Sequence, residues 1–496
     1  MTAKWMRALS AQFERVCQAY PGERLMLLLD IDGTIIDMRH MILAVLYAYD
    51  RTHATSYFER LQFADINVHE NQVDALFTEL NVPAEAQADI LAWYLEQRWT
   101  PEAIREMHHP FRGVLDVVRW FQLQTNTTVG LVTGRPETLR ENTLRSLNRL
   151  GKPYRVQFVD DLLYMNPGKW EEKVPDIKVA GINHFREAGY HVFAFIDNEP
   201  ANLKTLATAD PERDVLLLHA NTVFESKRTR LPRGTVRGKE YRLAELIPDE
   251  KALPAHVQLA WHGVNDKANL RQFLASDVRW AEVDAMLEPT CRWVILRHDS
   301  FAATLLETNE QWFMLADVLD KITAFGRAIK IDFKAGGMLL DRVLEMVAER
   351  ELTDDRLWFN ANIEILMESG FKHLCLRHPE AIIQCPIDFL APLIVAAPEQ
   401  AHRTLQMLND WGINRFSISW ERPNLRELFD QMDLWNYQVN IYGVPDLETF
   451  LQAVLLLPRS VTSDFNFPQW HYYGHGSGKG GVHLAYRQTK KGDQYL

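Results

Sequence analysis

The chain has 496 residues, of which 47% are hydrophobic and 24% charged, and its formal net charge is −12. This length exceeds a single hydrophobic core and predicts two domains of a soluble globular protein. No apolar run is long enough to span a membrane, and the sequence contains no internal repeat and no nucleic-acid-binding motif.

The first predicted strand, residues 25–29, is an unbroken apolar run, as in a parallel sheet that is covered by helices on both faces. A D-x-D-G-T sequence follows at once and places carboxylates at Asp30 and Asp32. Parallel sheets bind their ligands at this end of the strands. The pattern alone also suits a calcium loop or a helix cap, so the motifs downstream decide its interpretation.

Three such motifs follow along the chain. A second apolar strand ends in Thr133 and a glycine, ahead of a predicted helix, which is typical of a site for phosphate oxygens. A third apolar strand ends in Asp197. Between these two strands, Lys178 precedes an amphipathic stretch and can supply a cation, with Lys169 and Lys173 as alternatives.

The order of acid pair, hydroxyl, lysine and acid resembles the haloacid dehalogenase superfamily of phosphatases over residues 20–248. The resemblance implies that Asp30 is a nucleophile that forms an aspartyl phosphate. It also implies that Asp32 protonates the leaving group and then activates the hydrolytic water. A magnesium ion would be held by Asp30, the main chain near Asp32, and Asp197, and the phosphate would be bound by Thr133 and Lys178.

Residues from about 38 to 109 are rich in helix formers and aromatic side chains, and they follow the acid pair, where this superfamily inserts a helical cap. A cap excludes water and sets substrate choice. For residues 1–248 we therefore predict an α/β fold, a Rossmann-like doubly wound parallel sheet with a helical cap. Glu199 replaces the more common second aspartate of the last motif, and either a metal role or a helix N-terminal acid suits it equally.

After Pro254 the pattern restarts with nine short apolar runs that alternate with helical stretches. This alternation predicts a (β/α)8 TIM barrel over residues 249–470, with one of the nine runs outside the barrel. Polar residues follow the carboxyl ends of these runs, on the face where barrel active sites are built. They are His262, Asp284, His298, Lys334, Asn362 and Asp464.

The residue types at these strand ends form a chemical set. Two imidazoles, His262 and His298, can act as general base and general acid near neutral pH. Three acids offer hard oxygen ligands to a magnesium or calcium ion, and a lysine two residues beyond the last of them can meet a phosphate oxygen. These residues are Glu282, Asp284, Asp332 and Lys334.

Over residues 257–467 this pattern resembles the glycerophosphodiester phosphodiesterase superfamily, and in detail its menorin branch. The resemblance lies in four motifs, W-H-G-V-N from Trp261, E-V-D from Glu282, K-I-D-F-K from Lys330 and W-F-N-A-N from Trp358. It implies metal-dependent cleavage of a phosphodiester.

Two departures from the superfamily weaken the case for turnover. No arginine follows His262, which removes a phosphate contact. Asp332 stands where the diesterases have glutamate, which shortens a metal ligand by one methylene. Asn362 and Arg297 are further candidate pocket residues.

Three functions are therefore open. The first is a bifunctional phosphoesterase, with phosphomonoester hydrolysis in the first domain and phosphodiester cleavage in the barrel. In the second, only the first domain is catalytic and the barrel is a non-catalytic module that binds a phospho-ligand or a protein. In the third, the first domain transfers the phosphoryl group to an acceptor other than water. The expected partners are small-molecule phosphate esters, and the sequence indicates neither the substrates nor the oligomeric state.

Cysteine usage and the chain ends give the remaining predictions. The four cysteines lack ligand spacing and have apolar neighbours, so we expect reduced thiols and a cytoplasmic location. Residues 1–20 indicate an amphipathic helix and not a secretory signal. Residues 471–496 form a basic, glycine-rich tail, which is either mobile or a phosphate-binding flap.

Overall fold

The computed structural model divides into two compact units, Met1–Leu246 and Ile247–Leu496. No helix in the described part of the chain is long and apolar enough to cross a membrane. Lys169, Asp464 and the tail at 471–496 lie outside the described residues. The described residues are 5–168, 173–223, 225, 228–304 and 311–463.

Unit 1 contains a six-stranded sheet in which every pairing is parallel. The strand order is β3-β2-β1-β4-β5-β6, so the order reverses between β1 and β4, which is where doubly wound sheets bind ligands. The predicted fold class of this unit is confirmed. The strands are β1 Arg24–Leu29, β2 Thr127–Pro136, β3 Leu163–Asn166, β4 Tyr190–Asp197, β5 Leu216–Ala220 and β6 Val236–Gly238.

A helical insertion follows β1, as predicted for the cap. Its two ends lie side by side, because Asp37 N donates to His109 O at 2.8 Å and Phe111 N donates to Ile35 O at 2.9 Å. Helices α2 to α5 belong to the insertion. The helices of this unit are α1 Trp5–Ala19, α2 Met38–His53, α3 Asp74–Glu79, α4 Ala84–Gln97, α5 Pro101–Glu106, α6 Val114–Gln122, α7 Arg140–Gly151, α8 Val174–Glu187, α9 Pro200–Ala209 and α10 Leu243–Leu246.

Unit 2 is a closed barrel of eight parallel strands, because β15 pairs with β7 and β8 pairs with β10. The ninth strand, β9, pairs antiparallel with the end of β8 and lies outside the barrel. The predicted TIM barrel, with one extra run, is confirmed. The strands are β7 Gln258–Trp261, β8 Trp280–Leu287, β9 Val294–Leu296, β10 Ala328–Phe333, β11 Leu357–Asn360, β12 Ile382–Pro386, β13 Arg415–Ser419, β14 Val439–Val444 and β15 Ser460–Ser463.

The barrel interior is built in layers, because alternate residues of each strand point inward. An apolar layer includes Trp280 and Trp358. The next inward positions along β8 and β10 are the neighbours Glu282 and Lys330, and Asp284 and Asp332 pair one layer further on. The helices around the barrel are α11 Lys267–Ala275, α12 Leu315–Ala324, α13 Met338–Ala348, α14 Ile363–Arg377, α15 Ala391–Ala396, α16 Pro398–Asp410, α17 Leu425–Leu434 and α18 Leu447–Leu455.

The close approach of α8 to β2 depends on Gly181. A Cβ at this position would lie 2.5 Å from Val132 Cγ1, and Val132 is fully buried. We expect Gly181→Ala to lower the free energy of unfolding by about 1–3 kcal/mol through overpacking, although alanine is the better helix former. Urea denaturation checks this. Gly22→Ala is the control, because its added methyl meets no atom within 4 Å, and a stabilised Gly181→Ala protein would contradict the packing described.

Candidate functional sites

Asp30 and Asp197 lie together at the carboxyl ends of the neighbouring strands β1 and β4. Lys178 joins them, because its ammonium group forms an ion pair with Asp30 Oδ1 and lies 3.5 Å from Asp197 Oδ2. The same group donates to Val132 O at 2.5 Å. All three charged side chains are buried. Lys173, by contrast, is exposed and precedes α8, so of the two described lysines only Lys178 meets the acids.

The environment of Asp30 opposes its negative charge. Burial raises the pKa of this carboxyl to about 7, with Asp197 and Asp32 adding to the effect and Lys178 opposing it. Burial also raises the pKa of Asp197. Asp197 is held in place because Asn202 Nδ2 donates to both of its oxygens, at 3.1 and 3.0 Å, and Glu199 N donates to Oδ1 at 2.7 Å. A further positive charge at this site would favour the ionised carboxylates.

The side chain of Asn198 indicates where such a charge fits. One of its amide heavy atoms lies 3.1 Å from the main-chain oxygen of Asp32 and 3.3 Å from Asp30 Oδ2. As a nitrogen, this atom donates to both oxygens; as an oxygen, it completes a set of three oxygens that need a cation. Neighbouring oxygens around magnesium are about 3 Å apart, so the residues fit the ion that the sequence predicted.

The carboxylate of Asp32 is bound by Arg135, which sequence reasoning missed. Arg135 Nε and Nη2 donate to the two Asp32 oxygens at 2.7 and 2.5 Å. The guanidinium is buried, and its Nη1 donates to Thr143 Oγ1 at 3.1 Å. Burial alone would raise the pKa of Asp32, but Arg135 outweighs it and the pKa is lowered. The sequence did mark Arg135 as a candidate site residue, because it directly follows the predicted Thr133-Gly134 motif.

Thr133 is buried beside this pair, and its hydroxyl accepts a hydrogen bond from Arg135 N at 3.2 Å. Its neighbour in the chain, Val132, supplies the carbonyl that Lys178 binds. The predicted phosphate-binding threonine therefore lies next to the groups that hold both acids of the first motif.

The cap reaches the site through His69. His69 Nε2 lies 3.3 Å from Glu199 Oε1 and 3.2 Å from Glu70 Oε2. The side chain of Glu199 forms no hydrogen bond that caps the start of α9. Its carboxylate contacts His69 of the helical insertion instead. Burial raises the pKa of Glu70 to about 7, although His69 opposes this. Sequence reasoning did not foresee this contact, since 130 residues of chain separate the two partners.

In the barrel, a cavity of about 520 Å³ opens at the carboxyl ends of the strands. Of the catalytic, phosphate-binding and metal-binding residues predicted for the barrel, all but Asp284 line it. Asp284 is buried at the same level of the barrel as Asp332. The predicted residues that line the cavity are His262, Glu282, His298, Asp332, Lys334 and Asn362.

Lys334 joins the two carboxylates of this layer. Its Nζ lies 2.8 Å from Asp284 Oδ1 and 2.5 Å from Asp332 Oδ2. Burial alone would raise the pKa of Asp284, but Lys334, His262 and His298 outweigh it and lower the pKa to about 2. His262 and His298 line the same cavity, so the two imidazoles predicted from sequence lie at one site.

Neighbouring amides hold these two carboxylates in place. Asn265 Nδ2 donates to Asp284 Oδ2 at 2.5 Å, and Asp284 N donates back to Asn265 Oδ1 at 2.9 Å. Asn360 Nδ2 donates to Asp332 Oδ1 at 2.6 Å. The predicted W-H-G-V-N and W-F-N-A-N motifs thus contribute an amide each to positioning the acids.

A second lysine, Lys330, lies deeper in the barrel and was not among the predicted site residues. Its Nζ lies 3.1 Å from Glu282 Oε1 and 3.0 Å from Thr462 Oγ1. One other oxygen, Glu282 Oε2, is buried and accepts no hydrogen bond from the described residues, whereas the buried Asp284 Oδ1 faces Lys334 Nζ at 2.8 Å. Glu282 Oε2 therefore fits a hard cation, whereas the oxygens of Asp284 and Asp332 already have partners.

No group of three or more His, Cys, Asp or Glu side chains is arranged to hold a metal ion in the part of the chain that the structure describes. In both units, a cation would therefore need ligand oxygens from other groups in addition to the carboxylates. In unit 1 the main chain of Asp32 and the amide of Asn198 can supply them. Magnesium in unit 1, and magnesium or calcium in the barrel, remain predictions.

His298 is oriented by its neighbour in the sequence. Its Nδ1 lies 2.7 Å from Asp299 Oδ1, and Thr304 Oγ1 donates to Asp299 Oδ2 at 3.0 Å. Because Nδ1 is engaged, proton exchange with a ligand falls to Nε2. Arg297 supports this turn by donating to the main-chain oxygens of Asp299 and, at 2.8 Å, Thr304, and it is not among the residues that line the cavity.

Comparison with known proteins gives only weak likenesses. No family model and no curated protein matches the chain. Similar solved structures include a glycerophosphodiester phosphodiesterase from Parabacteroides distasonis, at 12% identity and a TM-score of 0.34 over 44% of this chain and 97% of that one. A phosphodiesterase from Oleispira antarctica in complex with sn-glycerol-3-phosphate has 15% identity and a TM-score of 0.34 over 44% and 96%.

Other similar solved structures are different kinds of enzyme, among them a phosphatase. A putative phosphoglycolate phosphatase from Lactobacillus plantarum has 15% identity and a TM-score of 0.27 over 44% of this chain and 96% of that one. All these TM-scores are below 0.5, so the likenesses carry no weight for function. None of them shows a menorin or a fusion of the two folds.

Asp30 gives a prediction for stability against pH. The pKa of the Asp30 carboxyl is 3.8 in the unfolded chain and about 7 in the folded protein. As the pH rises from the first value through the second, the wild type therefore loses stability relative to a variant that is uncharged at this position. We expect Asp30→Asn to be more stable than the wild type by about 1–3 kcal/mol at pH 8 in chelator, and equally stable near pH 4. Thermal unfolding at the two pH values checks this. Asp89→Asn removes an exposed carboxyl and should show no such trend.

Proposed function

We propose that the chain is a bifunctional phosphoesterase. Unit 1 hydrolyses a phosphomonoester through an aspartyl phosphate, and the barrel cleaves a phosphodiester. One observation in each unit supports this proposal. A lysine ammonium joins two carboxylates at the carboxyl ends of parallel strands, Lys178 with the buried Asp30 and Asp197, and Lys334 with the buried Asp284 and the partly buried Asp332.

In unit 1, an oxygen of Asp30 attacks phosphorus, and the bond from phosphorus to the leaving oxygen breaks as protonated Asp32 gives that oxygen its proton. Water then attacks the aspartyl phosphate, Asp32 accepts a proton from that water, and phosphate leaves with Asp30 regenerated. The pairing with Arg135 favours this base role, because it keeps Asp32 ionised. Lys178 balances charge on the nucleophile. Magnesium, held by Asp30, the main chain of Asp32, and Asp197, would neutralise the phosphoryl oxygens.

In the barrel, one imidazole of the pair His262 and His298 removes a proton from the attacking oxygen, and the other gives a proton to the leaving alcohol. Lys334 binds a phosphate oxygen, and Asp299 holds His298 in one orientation. Glu282 and Asp284 would hold magnesium or calcium, which adds positive charge beside the phosphate.

The two reactions are chemically related. Cleavage of a phosphodiester leaves a monoester, which is the kind of substrate that unit 1 would take. The proposed ligands are small-molecule phosphate esters.

All four cysteines are free thiols, and the cytoplasmic location stays a prediction.

Single substitutions should separate the two activities. We expect Asp30→Asn to lower monoester turnover at least 1,000-fold, because the nucleophile is lost, and to leave diester turnover unchanged. We expect His262→Ala to lower diester turnover about 100- to 10,000-fold and to leave monoester turnover unchanged. Steady-state assays of both variants on a panel of monoesters and diesters check this. Loss of both activities in either folded variant would show that the sites are not independent.

Metal removal gives a second test. We expect dialysis against a chelator to abolish monoester turnover and to reduce diester turnover. Added magnesium should restore the first activity, and magnesium or calcium the second. Full monoester turnover in the presence of chelator would show that unit 1 needs no metal ion.

A second function remains open for the barrel, namely binding of a phospho-ligand without turnover. The absence of an arginine after His262 favours it, and Arg297 does not replace that arginine because its guanidinium binds main-chain oxygens. Calorimetry on the full-length Asp30→Asn protein with a diester ligand distinguishes the two. Binding without any hydrolysis supports the module, and measurable hydrolysis excludes it.

A further inference from the structure

Four polar residues of the barrel lie side by side in one row, which we call the polar row. The register pairs Asp284 on β8 with Asp332 on β10, Asp332 with Asn360 on β11, and Asn360 with Gln384 on β12. Paired positions of parallel strands point to the same face of the sheet. Asp332, Asn360 and Gln384 line the barrel cavity. Gln384 is the member of the row that belongs to none of the motifs identified in the sequence.

Hydrogen bonds connect the polar row from one end to the other. Gln384 Nε2 donates to Asn360 Oδ1 at 2.7 Å, and Asn360 Nδ2 donates to Asp332 Oδ1 at 2.6 Å. The ammonium group of Lys334 lies 2.5 Å from Asp332 Oδ2 and 2.8 Å from Asp284 Oδ1. Gln384 is therefore connected to the proposed phosphate-binding lysine through two intervening side chains.

These hydrogen bonds can run in only one direction. Burial raises the pKa of Asp332, but the adjacent ammonium group of Lys334 favours its carboxylate form, which can only accept hydrogen bonds. Asn360 must therefore present its nitrogen to Asp332 and its oxygen to Gln384. Gln384 must in turn present its nitrogen to Asn360. If either amide were turned the other way, two acceptors would face each other.

Gln384 has no other side-chain hydrogen bond among the described residues. Its Oε1 is buried and accepts none there. A buried amide that is only half satisfied is less favourable than an apolar side chain of similar size. The stability of the barrel therefore does not account for a glutamine at this position, whereas the hydrogen bond to Asn360 does.

We propose that Gln384 is a positioning residue for Lys334 in the diesterase reaction. Gln384 orients Asn360, Asn360 orients Asp332, and the carboxylate of Asp332 holds the ammonium group where it binds phosphate. Lysine has a flexible four-carbon stem, so with Asp284 as its only remaining partner the ammonium group would occupy a wider range of positions. This inference rests on the proposed phosphodiesterase function and adds to it a residue that acts through two others.

The test uses the full-length protein with Asp30→Asn, so that only the barrel contributes turnover, and bis(p-nitrophenyl) phosphate as the diester. The test variant is Gln384→Met, which keeps the length of the side chain and removes its donor. The matched control is Gln258→Met, the same substitution at the amino end of β7. The Gln258 amide has a different role, because its Oε1 accepts from Arg415 Nη1 at 2.7 Å.

We expect Gln384→Met to raise KM about tenfold and to change kcat less than about threefold, because it loosens a group that binds phosphate and leaves both histidines in place. Gln258→Met should keep the wild-type KM. Both variants should unfold near the wild-type temperature. An unchanged KM in folded Gln384→Met protein would overturn the inference, and so would a similar rise in KM in the control.

A double-mutant cycle tests the path from Gln384 to Lys334. Asn360→Leu should raise KM at least as much as Gln384→Met does. The protein with both substitutions should stay within about twofold of Asn360→Leu, because Gln384 acts only through Asn360. Multiplied effects would overturn the inference. If Gln384→Met does not fold, Gln384→Asn replaces it, since its amide is one methylene too short to reach Asn360.

If the wild type hydrolyses no diester, the proposed activity fails, and crystal structures then decide the inference. The contact of Lys334 with Asp332 should be kept in the wild type and in Gln258→Met, and it should be lost in Gln384→Met. The same position of Lys334 in both variants would overturn the inference.

Discussion

Both candidate sites depend on one interaction, an ammonium group held between two carboxylates that few water molecules reach. Removing the lysine would leave two like charges buried side by side, which costs several kcal/mol unless protons or metal ions replace it. Lys178 reaches its acids because α8 lies close against β2, and Lys334 reaches its acids because it continues the strand that carries Asp332. The two units thus meet the same electrostatic requirement with different backbones.

Much of this arrangement could be predicted from sequence. Apolar runs that end in acids located β1 and β4, and the parallel order of the sheet then brought Asp30 and Asp197 together. In the barrel, spacing along β10 placed Asp332 and Lys334 on one face of the strand. These predictions succeeded because a buried parallel strand leaves a strong local signal, and its carboxyl end fixes where the polar residue lies.

The partners of these acids could not be predicted in the same way. Arg135 binds Asp32 across 103 residues of sequence, and Lys330 binds Thr462 across 132. The local sequence marks at most their positions, Arg135 directly after the Thr133-Gly134 motif and Lys330 inside a strand, because their partners follow from tertiary packing. A lysine between two apolar neighbours in a strand, as at position 330, indicates that a partner exists, since an unpaired buried charge is so unfavourable.

The two ends of the cap lie next to each other, through the paired main chains at Ile35 and Phe111 and at Asp37 and His109. An insertion with adjoining ends can be lengthened, shortened or exchanged without disturbing the register of the sheet beneath it. A hybrid made by grafting a foreign insertion at these two points would therefore retain the same strand order and leave Asp30 beside Asp197.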